Sequence, residues 1–195
     1  FDAKYGQMHQ ERKWLKVHLM CGVKTNIVTS VEVTPSNRND SPYLPQLAEA
    51  TAKRFTMAEV SADKGYISKN NLQAVVALGA VPYTPFKSGT TGAGPDLWRR
   101  MFHFYSFNRD AFLSHYHKRS NVETTFSMIK GKFGDSLRSK SDTAQVNEVL
   151  CKVLCHNLCC LVSSIYELDL APTFWSDGPM DFRADFALAR NTQAV

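Results

Sequence analysis

Five side chains stand out for their type and spacing: Asp63, Tyr116, Arg119, Glu123 and Lys130. The stretch "HYHKRSNVETTFSMIK", residues 115–130, sets one carboxylate, Glu123, among five basic or imidazole groups. On a helix advancing ~100° per residue, with Tyr116 at zero, Arg119 falls near about −60°, Glu123 near about −20° and Lys130 near about −40°. One stripe roughly 60° wide then carries all four, beside a packing face of Val122, Ile129 and Phe133. An Arg119–Glu123 pair at i, i+4 is an ordinary surface arrangement, but it leaves Tyr116 and Lys130 on the stripe unexplained. A row of one acid and several cations suits phosphoryl transfer. Carboxylates bind Mg²⁺ through oxygen, and Arg, Lys and Tyr can hold phosphate oxygens.

Asp63 closes the apolar run of "EVSAD", which reads as a strand. Ligands of open α/β sheets collect beyond the carboxyl ends of strands, so an acid there is well sited for chemistry. Capping the following turn is the competing role, since Asp commonly does this.

The elements that must position these residues follow from periodicity. "WLKVHLMC" alternates, with Leu15, Val17, Leu19 and Cys21 on one face and Lys16 and His18 on the other. "NIVTSVEV" alternates likewise through Ile27, Thr29, Val31 and Val33, so the two form an antiparallel hairpin. Ser41 and Pro42 fit the N-cap and first position of a helix running to about Arg54. "MAEVSAD" is then a strand, Ser68 caps a helix ended by Gly79, and "AVPYTPF" is a strand parallel to the first. From Asp96 the chain reads helical, with a break near Asn108, a helix over 115–133 and a long apolar helix from about Thr143 to Leu168. "KSGTTGAGPD" is Gly-rich but lacks the ending of a phosphate-binding P-loop. The expected fold class is α/β, a mixed sheet flanked by helices with a helical C-terminal block. Residues 1–168 form the main domain and 169–195 a loosely packed extension.

Charge points the same way as the motif. The chain of 195 residues has a formal charge of +5. Residues 115–140 hold Lys118, Arg119, Lys130, Lys132, Arg138 and Lys140 against Glu123 and Asp135, a net +4. Such a concentrated basic segment suits a polyanion such as DNA. The opening "FDAKYGQMHQERKW" is polar and unlike a signal peptide, and no apolar run approaches the roughly 18–20 residues of a membrane span. Four of the five cysteines crowd "CKVLCHNLCC". Cys151, Cys155 and Cys159 at i, i+4, i+8 are expected on a buried helix face, as free cysteine packs like a small hydrophobe. This usage fits a reducing cytoplasm.

The spacing Tyr116-x2-Arg119-x3-Glu123-x6-Lys130 resembles the YREK signature of DDE transposases from bacterial insertion sequences. "ADKGY" around Asp63 resembles that family's second catalytic segment, and "RKWLKVHLM" and "NRNDSPYLPQL" resemble its second strand and the loop before its first helix. The resemblance covers roughly Lys13 to Leu168. It implies an RNase H-like fold with a DDE triad binding two Mg²⁺ ions, with Mn²⁺ as a substitute. By position Asp63 is the second acid and Glu123 the third, while Tyr116, Arg119 and Lys130, with neighbouring Lys118 and Lys132, grip DNA or support catalysis. The implied partners are transposon ends and target DNA as duplexes, and a second copy in the synaptic complex. The implied setting is the bacterial cytoplasm at the nucleoid. The first acid and its central strand are expected upstream of Phe1, since "FDAKYG" has no strand pattern and Asp40 falls in a loop, where it orders a helix start. Two other readings are an inactive DNA-binding remnant and an RNase H-like nuclease that hydrolyses without strand transfer.

Overall fold

The computed structural model describes residues 14–168. The extension expected over 169–195 and the opening residues around Asp2 lie outside the described residues. The chain divides into two units, Phe1–Cys160 and Leu161–Val195; the described part of the second is helical.

Strands β1 (Leu15–Cys21) and β2 (Val28–Pro35) form the antiparallel hairpin, with Val17 opposite Val33 and Leu19 opposite Val31. The register shifts between Met20 and Cys21, which brings Cys21 opposite Val28. The shift moves burial from Ile27 to Val28 and so corrects the alternation expected for β2. Asn26 turns the hairpin at φ 56°, a left-handed conformation that Asn tolerates better than most side chains.

Helix α1 (Tyr43–Ala52) packs on β2, where Thr51 hydrogen-bonds Ser30 at 3.0 Å and Ser30 donates to the Leu47 carbonyl at 2.9 Å. The helix starts one residue later than expected: Pro42 is the N-cap, and Ser41 instead accepts from Asn71 Nδ2 through both its carbonyl and its hydroxyl. Strand β3 (Glu59–Ser61), helix α2 (Lys69–Ala77) and strand β4 (Val81–Tyr83) make the parallel crossover. Ser68 caps α2 by accepting from the Asn71 N–H, and Gly79 ends the turn at φ 81°, where a Cβ would be strained. Helices α3 (Asp96–Phe107) and α4 (Arg109–Tyr116) break at Asn108. A 3₁₀ turn over His117–Arg119 leads into α5 (Ser120–Phe133), and α6 spans Asp142–Leu168. The single helix expected over 115–133 is therefore two segments joined by a tighter turn.

Three apolar clusters hold these elements. Leu72, Tyr83, Phe86, Trp98, Met101 and Phe112 join β4 to the helices around it. Leu44, Val60, Ala62, Val75 and Ala80 seat β3 between α1 and α2. Leu19, Val28, Ile129 and Val153 place α5 and α6 on the far face of the hairpin. There Asn157 accepts from Val28 N and donates to Val28 O, both at 2.8 Å, standing in for the strand pairing that the register shift interrupts.

Two sequence expectations fail on α6. Cys151 and Cys155 are exposed and Cys159 half-buried, whereas Val149, Val153, His156 and Cys160 face inward. Both stripes have helical spacing, and only tertiary packing selects between them. Contrary to the expectation that no run reaches span length, α6 is long and apolar enough, by length and composition, to cross a membrane. One side of it packs on the hairpin through Val153 and Asn157, while Leu150, Leu154, Leu158 and Val162 on the other side are exposed.

Among the described residues β1–β2 and β3–β4 are two separate two-stranded sheets, with no strand joining them. A cleft with about 840 Å³ of open space, its mouth included, lies between β1 (Val17, Leu19) and β3 (Val60), with Asp63 and Arg119 in its wall.

Candidate active site

Asp63 follows β3 and occupies the N-cap position of a 3₁₀ turn, Lys64–Tyr66. Its carbonyl accepts from Tyr66 N at 2.9 Å, but its carboxylate makes no capping hydrogen bond. The competing role of side-chain cap is thus not the one it plays. The carboxylate is exposed, and among the described residues it has no ion-pair partner. A Cβ built on Gly65 would sit 3.9 Å from Asp63 Oδ2 and 3.5 Å from Asp40 Oδ2, so both acids flank the same turn. Asp40 is committed elsewhere, to Lys16 Nζ at 2.9 Å, and its carbonyl accepts from Tyr43 N at the start of α1, the ordering role expected of it.

Arg119 ends the 3₁₀ turn before α5. It donates from Nε to Tyr116 Oη at 3.1 Å and from its terminal nitrogen to Glu123 Oε1 at 2.8 Å. Burial works against its charge, but Tyr116, Glu123 and Asp63 outweigh this and raise its pKa above the ordinary value. One guanidinium thus bonds Glu123 directly and lies within the field of Asp63. The stripe inferred from helical spacing holds in part: Tyr116, Arg119 and Glu123 are linked, while Lys130 stands exposed with no ion pair among the described residues. Lys132 is exposed at the end of α5.

Lys118, expected to contact DNA, pairs with Glu59 of β3. Glu59 also bonds His115 Nδ1 at 2.5 Å, the His115 ring stacks on Tyr83 at 4.4 Å, and Ser61 Oγ donates to the His115 carbonyl at 3.1 Å. Burial raises the Glu59 pKa, yet the hydrogen bonds from Lys118 and His115 more than offset this and hold it below the usual value. These contacts fasten residues 115–118 to β3, and so set Arg119 beside the strand that carries Asp63. Glu59 and Tyr83 carry no local sequence signal for this role.

His18 is the residue whose environment differs most from expectation. Strand alternation assigns it to the polar face of β1, yet it is 2% exposed. Nδ1 lies 2.9 Å from Tyr66 Oη, Nε2 3.2 Å from Thr34 Oγ1, and the ring stacks on Tyr43 at 4.7 Å. Burial lowers its pKa, with Lys16 adding to the effect and Asp40 and Glu32 opposing it. Burial also pushes the Tyr66 phenol up to about 12, helped by Asp40 and Asp63. The alternation puts His18 on the face away from Leu19 correctly, but no local pattern shows that α1 covers that face.

Asp63 and Glu123 offer hard oxygen donors of the type that Mg²⁺ takes; Arg119 bonds Glu123 and shares a cleft wall with Asp63. Among the described residues no three His, Cys, Asp or Glu side chains gather into a metal-binding group. The two acids fit such an ion in donor chemistry, as part of a set.

Residues 2–158 match the family model described as "Transposase DDE domain". No curated protein and no solved structure matches the chain. A mixed α/β chain of small sheets and several helices fits that domain. The chain belongs to the transposase DDE domain family.

Proposed function

We propose that this chain supplies Asp63 and Glu123, the second and third acids of a DDE triad on an RNase H-like fold, to a transposase that cuts and joins duplex DNA at the ends of a bacterial insertion sequence. The observation carrying this reading is Arg119, which hydrogen-bonds Glu123 and shares the wall of one cleft with Asp63. The two acids lie 60 positions apart in sequence. Two Mg²⁺ ions, or Mn²⁺ in their place, held by these carboxylates would stabilise the charge on the attacking and leaving oxygens. Tyr116, Arg119, Lys130 and Lys132 grip the DNA backbone, and Lys118 joins them when it leaves Glu59. The working assembly is a dimer around paired transposon ends, in the bacterial cytoplasm.

The test compares Glu123→Gln with Arg119→Ala in the full-length protein, on duplexes carrying the element's ends. Glu123→Gln keeps shape but removes a cation-binding charge, so cleavage is lost and DNA affinity is kept or rises. Arg119→Ala weakens binding and lowers the log–log salt slope by about one for each phosphate that the guanidinium neutralised. Equal loss of binding in both variants would mark the Arg119–Glu123 pair as purely structural.

A further inference from the structure

We propose that His18 is a positioning residue for Asp63, acting through the phenol of Tyr66; the inference rests on the reading of Asp63 as a cation-binding acid. Asp63 has no side-chain partner of its own among the described residues, so its direction follows from the turn Lys64–Tyr66 that it begins. That turn is pinned at Tyr66 from two sides. Asn71 Nδ2, on a residue itself 4% exposed, donates to the Tyr66 carbonyl at 2.7 Å, and His18 Nδ1 meets the Tyr66 hydroxyl at 2.9 Å. His18 has no freedom to yield. It is stacked on Tyr43 of α1, bonded to Thr34 of β2 and carried by β1, so three elements fix its ring.

The contacts suit either imidazole tautomer, and we take the one that leaves Nδ1 unprotonated. A neutral imidazole has one donor and one acceptor, and a phenol has a single proton to give. With Nε2–H donating to Thr34 Oγ1, Nδ1 accepts a hydrogen bond from the Tyr66 hydroxyl. The phenol proton is thereby kept from the two acids that flank the turn, Asp40 and Asp63. Asp40 is already neutralised by Lys16. Without the His18–Tyr66 bond the turn loses one of its two anchors, and Asp63 loses its fixed direction.

The probe is Mn²⁺ alone, added to the full chain and followed by paramagnetic broadening of the backbone amides of residues 63–66. Tyr66→Phe removes the hydroxyl and keeps the packed ring, so it supplies a folded variant even if His18→Gln unfolds. Tyr66→Phe and His18→Gln should each raise the Mn²⁺ midpoint about five-fold, the loss expected from one hydrogen bond. The double variant should shift it no further, because both act along one path. Asp63→Asn should abolish the saturable broadening. Variants at 18 and 66 that titrate like the wild type, while Asp63→Asn does not, would overturn the positioning role. Wild-type behaviour of Asp63→Asn would instead strike down the underlying reading of Asp63, and this inference with it. A merely structural role would lower the melting temperature and leave the midpoint where it was.

Discussion

On one face of the hairpin, His18, Thr34, Ser30 and Thr29 meet α1 and Tyr66 through directed hydrogen bonds. On the other, Leu19 and Val28 meet Ile129 and Val153 through apolar contact. Each face buries a histidine, and the two are used differently. His18 has both ring nitrogens bonded, whereas His156 bonds the Asn26 carbonyl through Nε2 at 2.9 Å and leaves Nδ1 buried with no partner among the described residues. Hydrogen bonds fix direction and contribute only about 0.5–1.5 kcal/mol each, while apolar burial contributes more per side chain and fixes little direction. The wired face therefore sets the geometry of the Asp63 turn, and the greasy face holds the domain together.

The comparison can be broken most forcefully on the apolar face. Ile129→Ala should cost about 2–4 kcal/mol in urea unfolding, since it leaves a cavity between α5 and the hairpin. A cost under about 1 kcal/mol would show that this face carries little of the stability. Cation affinity at Asp63 should meanwhile stay near wild type in the folded fraction.

The wired face should show itself in the pH dependence of folding. The folded-state pKa of His18 lies below 6.5, so the unfolded chain takes up this proton first as the solution is acidified. Its contribution to stability is whole above pH 6.5 and declines as pH falls from there toward the lowered folded-state value. His18→Gln should flatten that part of the stability curve. Glu59, whose pKa is lowered, contributes in a separate window, losing its part as pH falls below 4.5. An unchanged curve in His18→Gln would place the proton uptake elsewhere.

The smallest effect belongs to neither face. Cys155 is exposed, so Cys155→Ser should change stability by less than about 0.5 kcal/mol. In the native protein a thiol reagent should modify Cys151 and Cys155 well before Cys160, which mass spectrometry of the labelled peptides would read directly.

What the sequence made legible was local. The Arg119–Glu123 pair, the strand ending before Asp63, the Ser68 cap and the Asn108 break each follow from spacings of a few residues. The misreadings share one cause. Choosing the inward stripe of α6, recognising that both faces of the hairpin are covered, and pairing Lys118 with Glu59 all require knowing what packs opposite. A helical period fixes the spacing of a stripe and leaves its orientation open. His18 is the clearest instance, because in a hairpin with one solvated face it would sit in water.

The reach of Asn157 back to Val28, across 129 positions, also has a consequence for the order of events during synthesis. The hairpin is among the first described elements to leave the ribosome and α6 the last. Over that interval the Val28 amide and carbonyl lack their partner, and the apolar face of Leu19 and Val28 lies uncovered. At roughly 5–20 residues per second the wait lasts many seconds, far longer than the microseconds in which a hairpin forms. Until α6 emerges the nascent chain carries the kind of uncovered apolar surface that chaperones shield, and a ribosome stalled before Asn157 would display a half-finished sheet.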